Sequence, residues 1–153
     1  MINFTVKHQD TLVGGLTFQI VSNTKDASPA EFFRDVSNFT DSIVVSEEAF
    51  SIIESCFASE FSADDRHCIY YHHVFHSHDT EGVKSIIDKL IEKKRKIEQK
   101  GIDTKEMYWF TAQEIKFLNQ NRSSIFNFID EITVYLETSI KEPKSKGVYV
   151  IGI

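Results

Sequence analysis

The sequence predicts a mixed α+β fold in which one small sheet is packed by four to five helices. β-Branched and apolar runs near both ends of the chain indicate strands, and longer segments between them have the period of about 3.6 residues that amphipathic helices show. Capping residues stand at the starts of several longer segments. At 153 residues the chain has the usual size of one domain, so we expect residues 1–153 to form a single domain.

The predicted sheet draws on three parts of the chain. Residues 2–6 and 16–21 are rich in β-forming side chains and flank a Gly-Gly pair, which predicts an N-terminal hairpin. Residues 67–76 carry aromatic and β-branched side chains on both faces, which predicts a buried central strand followed by a turn at 77–79. Residues 148–151 predict a C-terminal strand.

The first two helices are predicted from their caps. Ser28, followed by Pro29 and by Glu31 three residues on, opens a helix that we expect to end near Phe39. Ser46 opens the second helix, because acidic residues fill its first turn, where they complement the helix dipole. The second helix is amphipathic, with an apolar side opposite an exposed one. The carboxylates predicted on its exposed side are Glu47, Glu48 and Glu54.

Three further helices are predicted in the second half of the chain. The longest covers residues 80–100 and ends at Gly101, and another begins at Thr111, which has a glutamate three residues later. A last helix follows residues 119–122, although its residues 132–136 also fit a strand. The buried stripe predicted for the longest helix is Val83, Ile86, Ile87, Leu90, Ile91 and Ile97.

Negative charge is concentrated in the first half of the chain. The 17 basic and 23 acidic residues give a net charge of −6, but residues 1–83 hold 4 basic and 13 acidic residues, whereas residues 84–153 hold 13 and 10. No Lys or Arg lies between Arg34 and Arg66, a segment with eight acidic residues. Such a field repels nucleic acid and anionic membranes and attracts a cationic protein. We therefore expect a basic protein partner, no direct nucleic-acid contact and no membrane contact; a solubilising surface is the alternative.

The chain has the features of a cytoplasmic protein. Its first residues lack the basic and apolar regions of a signal peptide, and no apolar run approaches the roughly 20 residues that cross a bilayer. Cys56 and Cys68 are expected to be reduced, because a domain of this size needs no disulfide. Cys56 also falls on the apolar side of its helix, which disfavours a reactive thiolate.

One histidine cluster has the residue types of a zinc site. His76 and His78 fall on the same face of a strand, and Ser85 and Asp88 follow on a helix. This pattern of His-x-His followed by Ser-x-x-Asp resembles the zinc site of JAB-type metalloisopeptidases. The resemblance implies that His76, His78 and Asp88 bind zinc and leave a fourth position for an activated water. A zinc hydrolase is thus the alternative function, while histidines satisfied in the core or at the surface explain the cluster without a metal.

A small acidic chain without an established catalytic motif resembles, in type, the immunity proteins of bacterial contact-dependent growth inhibition and related polymorphic toxin systems. The resemblance implies a protein that is not an enzyme, needs no cofactor, and binds a cognate toxin, commonly a basic nuclease, by covering its active site. The partner-binding residues that we predict are Glu47, Glu48, Glu54, Asp64 and Asp65. A scaffold role is compatible with the same sequence features.

Overall fold

A computed structural model of the chain describes residues 1–11, 13–58, 75–107 and 109–152. These residues form five strands and five α-helices, with one short 3-10 helix of residues Val36–Phe39. The elements are β1 (Lys7–Gln9), β2 (Thr17–Asn23), α1 (Pro29–Arg34), β3 (Ser42–Ser46), α2 (Glu47–Ala58), β4 (Phe75–His78), α3 (Thr80–Lys100), α4 (Ala112–Gln120), α5 (Arg122–Lys141) and β5 (Gly147–Gly152). The predicted α+β class is confirmed.

The strands form one antiparallel sheet in the order β1-β3-β2-β5-β4. β2 lies at its centre, where Ile20 pairs with Ile43 of β3 on one side and with Val150 of β5 on the other. Phe18, Ile20 and Val21 of β2 are buried, and so is the polar Gln19, as expected for a strand whose two faces are both covered. The sheet is therefore organised around β2.

The predicted N-terminal hairpin is wrong. β1 begins only at Lys7 and pairs with β3, which separates it from β2. Residues 2–6 form no strand; they run along α5, where the Phe4 ring lies 5.9 Å from that of Phe128. β3 was not predicted from the sequence; it is a strand of only five residues with serine at both ends, and it runs directly into α2.

Helices cover both faces of the sheet unequally. Because alternate side chains of a strand point to opposite faces, Ile20 and Val150 contact the large core formed with α2, α3 and α5. Val21 and Tyr149 point the other way, into a smaller cluster. Phe32 of α1 caps that cluster, with its ring 4.6 Å from the ring of Tyr149. The main core thus lies between the sheet and the three long helices.

The starts of the predicted helices are confirmed, but α1 ends at Arg34 rather than near Phe39, and a separate 3-10 helix covers Val36–Phe39. Ser28 and Thr111 each form a capping box at the start of α1 and α4, and Gly101 ends α3 with a φ of 81°. Residues 132–136 are helical within α5. Ile91 is an exception to the predicted stripe of α3, since 53% of its surface is exposed.

The predicted central strand lies mostly outside the described residues, which exclude 59–74. β4 continues through Ser77 and His78, where a turn was expected, and Asp79 then caps α3 by accepting a hydrogen bond from the Gly82 amide (2.7 Å). In the part of the chain that is described, no helix has the length and apolar character needed to span a membrane.

Candidate functional site

A cavity of about 370 Å³ lies between β2, α2 and the start of α4. Its aromatic walls are Phe18, Phe50, Trp109 and Phe110. Four carboxylates also line it, together with Ser51: those of Glu47, Glu48, Glu54 and Glu114. Among the described residues, none that line the cavity is basic. The site therefore combines apolar walls with negative charge.

The aromatic walls come from parts of the chain that are distant in sequence. Phe18 projects from β2 onto the helix side of the sheet and stacks on Phe50 of α2, with ring centroids 4.1 Å apart and planes 16° apart. Phe50 is fully buried. Trp109 and Phe110 precede α4, and 37% of the Trp109 surface stays exposed. The inner walls are thus part of the core, whereas Trp109 forms an accessible edge.

Two of the carboxylates occupy the first turn of α2. Ser46 ends β3 and its hydroxyl oxygen accepts a hydrogen bond from the Ala49 amide (3.2 Å), so the strand turns into the helix without a loop. This junction places Glu47 and Glu48 at the cavity, in the first turn of α2, where acidic residues complement the helix dipole. Glu47 is half-buried and Glu48 is exposed, which is compatible with their predicted surface position.

Glu114 was not predicted as a site residue, although its role as a cap was. Its carboxylate accepts hydrogen bonds from the Thr111 amide (2.7 Å) and hydroxyl (2.8 Å). Both bonds lower the pKa of Glu114 and keep its carboxylate ionised, and the bond from the backbone amide has the larger effect. The capping signal thus marks the residue, but the sequence does not show that α4 begins beside α2.

Glu54 is not on an exposed helix face as predicted, because only 2% of its surface is exposed. Glu47, Ser51 and Glu54 follow one another at helical spacing along the side of α2 that lines the cavity. The segment with Trp109 lines the same cavity. Helical periodicity correctly placed Glu54 opposite the apolar side of α2. It carries no information on which other parts of the chain pack against that position.

The rest of the acidic stretch contributes less to this site. Asp64 and Asp65, predicted to bind the partner, lie outside the described residues. Asp35 forms an ion pair with Lys25 (2.9 Å). Hydrogen bonds from the Ser37 side chain, and then from Lys25, lower the pKa of Asp35 to about 2. Part of the predicted negative field is therefore neutralised by a lysine that precedes the stretch.

The structure does not bring His76, His78 and Asp88 together. Within the described ranges, no three His, Cys, Asp or Glu side chains are close enough to share a metal ion. His78 is buried in the core, with its ring 5.9 Å from that of Phe57, whereas Asp88 is exposed on α3. His-x-His on a strand and Asp on the next helix fit the sequence pattern but diverge in space.

The surroundings of two other groups, the Cys56 thiol and the basic run of α3, disfavour a functional role for them. Cys56 is buried, and burial raises the pKa of its thiol, which disfavours the nucleophilic thiolate; Cys68 lies outside the described residues. In the basic run of α3, Lys93 pairs with Glu106 (2.8 Å) and Lys94 with Asp130 (2.8 Å). These pairs reduce the local positive charge that a nucleic-acid site would require.

Comparison of the chain with protein-family models, with curated proteins and with solved structures found no match.

Proposed function

We propose that this chain is an immunity-type inhibitor that binds a basic toxin, such as a nuclease, through the face around the acidic aromatic cavity. One observation carries the proposal: Glu47, Glu48, Glu54 and Glu114 surround an aromatic cavity that no described basic residue lines. A surface that served only solubility would need neither a concave shape nor aromatic walls. The arrangement instead suits a protein partner that presents positive charge.

Electrostatics supports a basic partner over other classes. The net charge of −6 speeds the encounter with a cation at low salt and opposes contact with nucleic acid. Nucleases bind phosphate groups and therefore carry positive charge at their active sites, which an acidic face can cover. Close charge pairs across such interfaces have coupling energies of about 1.5 to 7 kcal/mol. In this proposal the inhibitor acts in the cytoplasm of the cell that produces the toxin.

The proposal predicts that charge reversal at the cavity rim abolishes protection. The test toxin is the C-terminal domain of the large secreted protein encoded immediately upstream, produced in the bacterial cytoplasm. We expect this domain to arrest growth, the wild-type chain to restore it, and Glu47→Lys/Glu48→Lys to fail. We also expect the double variant to bind the purified domain at least about 100-fold more weakly, because two charge pairs become repulsive. Glu54 is left unchanged because it is buried.

Two further variants test whether a loss of protection reflects lost binding rather than destabilisation of the fold or the change in net charge. Glu98→Lys/Glu142→Lys makes the same change in net charge at exposed positions outside the cavity and should protect as wild type does. Glu47→Gln/Glu48→Gln should weaken protection without placing positive charge at the helix N-terminus, where it would destabilise α2. Full protection by both rim variants would remove this face from the interface. Growth arrest that the wild-type chain fails to relieve, or an upstream gene without such a domain, would contradict the immunity function.

A further inference from the structure

We infer that the group that enters the cavity is an arginine side chain of the partner. This inference rests on the proposed function, because it names the part of the toxin that the inhibitor holds. The cavity volume of about 370 Å³ is at the lower end of the range of roughly 300 to 1,000 Å³ that holds small ligands. It has room for the whole of one long side chain rather than for a helix or a strand.

The lining of the cavity selects a cation. Apolar walls weaken the screening by water, so each carboxylate attracts positive charge more strongly than it would on an open surface. The face of an indole ring also attracts cations, and Trp109 remains accessible at the edge of the cavity. An uncharged apolar side chain would displace water from the carboxylates of Glu48 and Glu114 without bringing them any positive charge.

The positions of the carboxylates favour arginine over lysine. Glu47 and Glu48 lie on α2, whereas Glu114 lies on α4, so the negative charges come from two helices. A planar guanidinium has five donors and can bond to carboxylates in more than one direction while its face stacks on an aromatic ring. An ammonium group is compact and more strongly hydrated, so it loses more on entering apolar surroundings. Arginine thus matches both the walls and the rim.

The single tryptophan of the chain makes the inference directly measurable, because Trp109 gives the only indole N–H signal in a ¹⁵N-labelled spectrum. The probes are three blocked tripeptides, acetyl-Gly-X-Gly-amide, in which X is arginine, lysine or citrulline. Citrulline has nearly the shape of arginine but no charge. We expect the arginine peptide to shift the Trp109 signal saturably, to bind about fivefold more tightly than the lysine peptide, and citrulline to give no saturable shift.

Matched variants locate the binding site. Glu48→Gln removes one exposed rim carboxylate and should weaken the arginine peptide about threefold, whereas Glu98→Gln, exposed on α3 outside the cavity, should leave its affinity unchanged. Equal affinity for all three peptides, or no saturable shift with arginine, overturns the inference.

The growth measurement tests the proposed function and the peptide measurement tests the arginine inference, so either can be wrong without the other. If Glu47→Lys/Glu48→Lys abolishes protection but the arginine peptide does not bind, the proposed function stands and the arginine inference is wrong. If the arginine peptide binds as expected but the chain protects against no toxin, the immunity function is wrong and the cation specificity of the cavity stands.

Discussion

Replacement of Gly147 by alanine is expected to destabilise the folded chain severely. Gly147 begins β5 with a φ of 103°, and a Cβ atom added to it would overlap the carbonyl oxygen of His78 and lie 2.8 Å from the Cα of Asp79. Both contacts are with backbone, so no side-chain rotation relieves them. Strain and overlap together should lower the free energy of unfolding by more than about 4 kcal/mol, measured by urea denaturation followed by circular dichroism.

Gly15 provides the matched control for this substitution. It has a similar φ of 108°, but a Cβ atom at Gly15 would have no neighbour within 4 Å. Gly15→Ala therefore measures the conformational strain alone, which we expect to be about 1 to 2 kcal/mol. Equal destabilisation by the two alanines would show that the close approach of β5 to the end of β4 is not what requires glycine at Gly147.

Removal of the Tyr135 hydroxyl is expected to destabilise the protein at neutral pH and to change its response to alkali. This hydroxyl links α5 to the sheet: it accepts a hydrogen bond from the Ser22 amide (3.0 Å) and lies 2.7 Å from the carbonyl oxygen of Asp41, to which it donates. Tyr135→Phe leaves buried polar groups with fewer partners, so we expect a loss of about 1 to 3 kcal/mol at pH 7 in urea denaturation.

The alkaline effect follows from the pKa of the same hydroxyl. Burial raises the pKa of Tyr135 from 10.0 to about 12. Between these pH values the folded chain retains a proton that the unfolded chain has lost, so stability falls as the pH rises above 10. Between pH 9 and 11 the wild type should lose about 1 kcal/mol more than Tyr135→Phe.

Ser139 provides the comparison for this titration, because Ser139→Ala leaves the Tyr135 hydroxyl in place. Ser139 contacts the Ser22 hydroxyl (2.5 Å) and donates to the Tyr135 carbonyl (2.9 Å). This variant should keep the alkaline loss of the wild type. Identical alkaline profiles for wild type and Tyr135→Phe would mean that the Tyr135 hydroxyl has the same pKa in the folded chain as in the unfolded chain.

The sequence predicted best what local chemistry determines. The capping boxes at Ser28 and Thr111 and the glycine end of α3 depend on residues within one helical turn, and all three are confirmed. Strand pairing is not local, which is why the expected hairpin is wrong: β3, which follows β2 only after α1, inserts between β2 and β1. β1 and β2 are both antiparallel to β3 and so run in the same direction, which means that the Gly-Gly pair does not mark the chain reversal of a hairpin.

Some residues of the candidate site could likewise be predicted from local patterns, and others could not. Glu47 and Glu48 were predicted as site residues because they belong to the acidic stretch and helical periodicity places them on the exposed side of α2, and they do line the cavity. The contributions of Trp109 and Glu114 depend on where α4 begins in space, and the burial of Glu54 depends on what packs around α2; no local pattern records either. A single tryptophan next to a capped helix was the one available signal, and by itself it does not indicate a cavity.

The cavity has a thermodynamic consequence because its walls come from β2, α2 and the segment before α4. These segments come together only in the folded chain, so the unfolded chain has no binding site. A ligand of the cavity therefore binds the native state alone, and its binding is linked to folding. At a free ligand concentration 100 times its Kd, the native state gains about 2.7 kcal/mol. The melting temperature of the chain therefore reports occupancy of the cavity, whatever the chemical identity of the ligand.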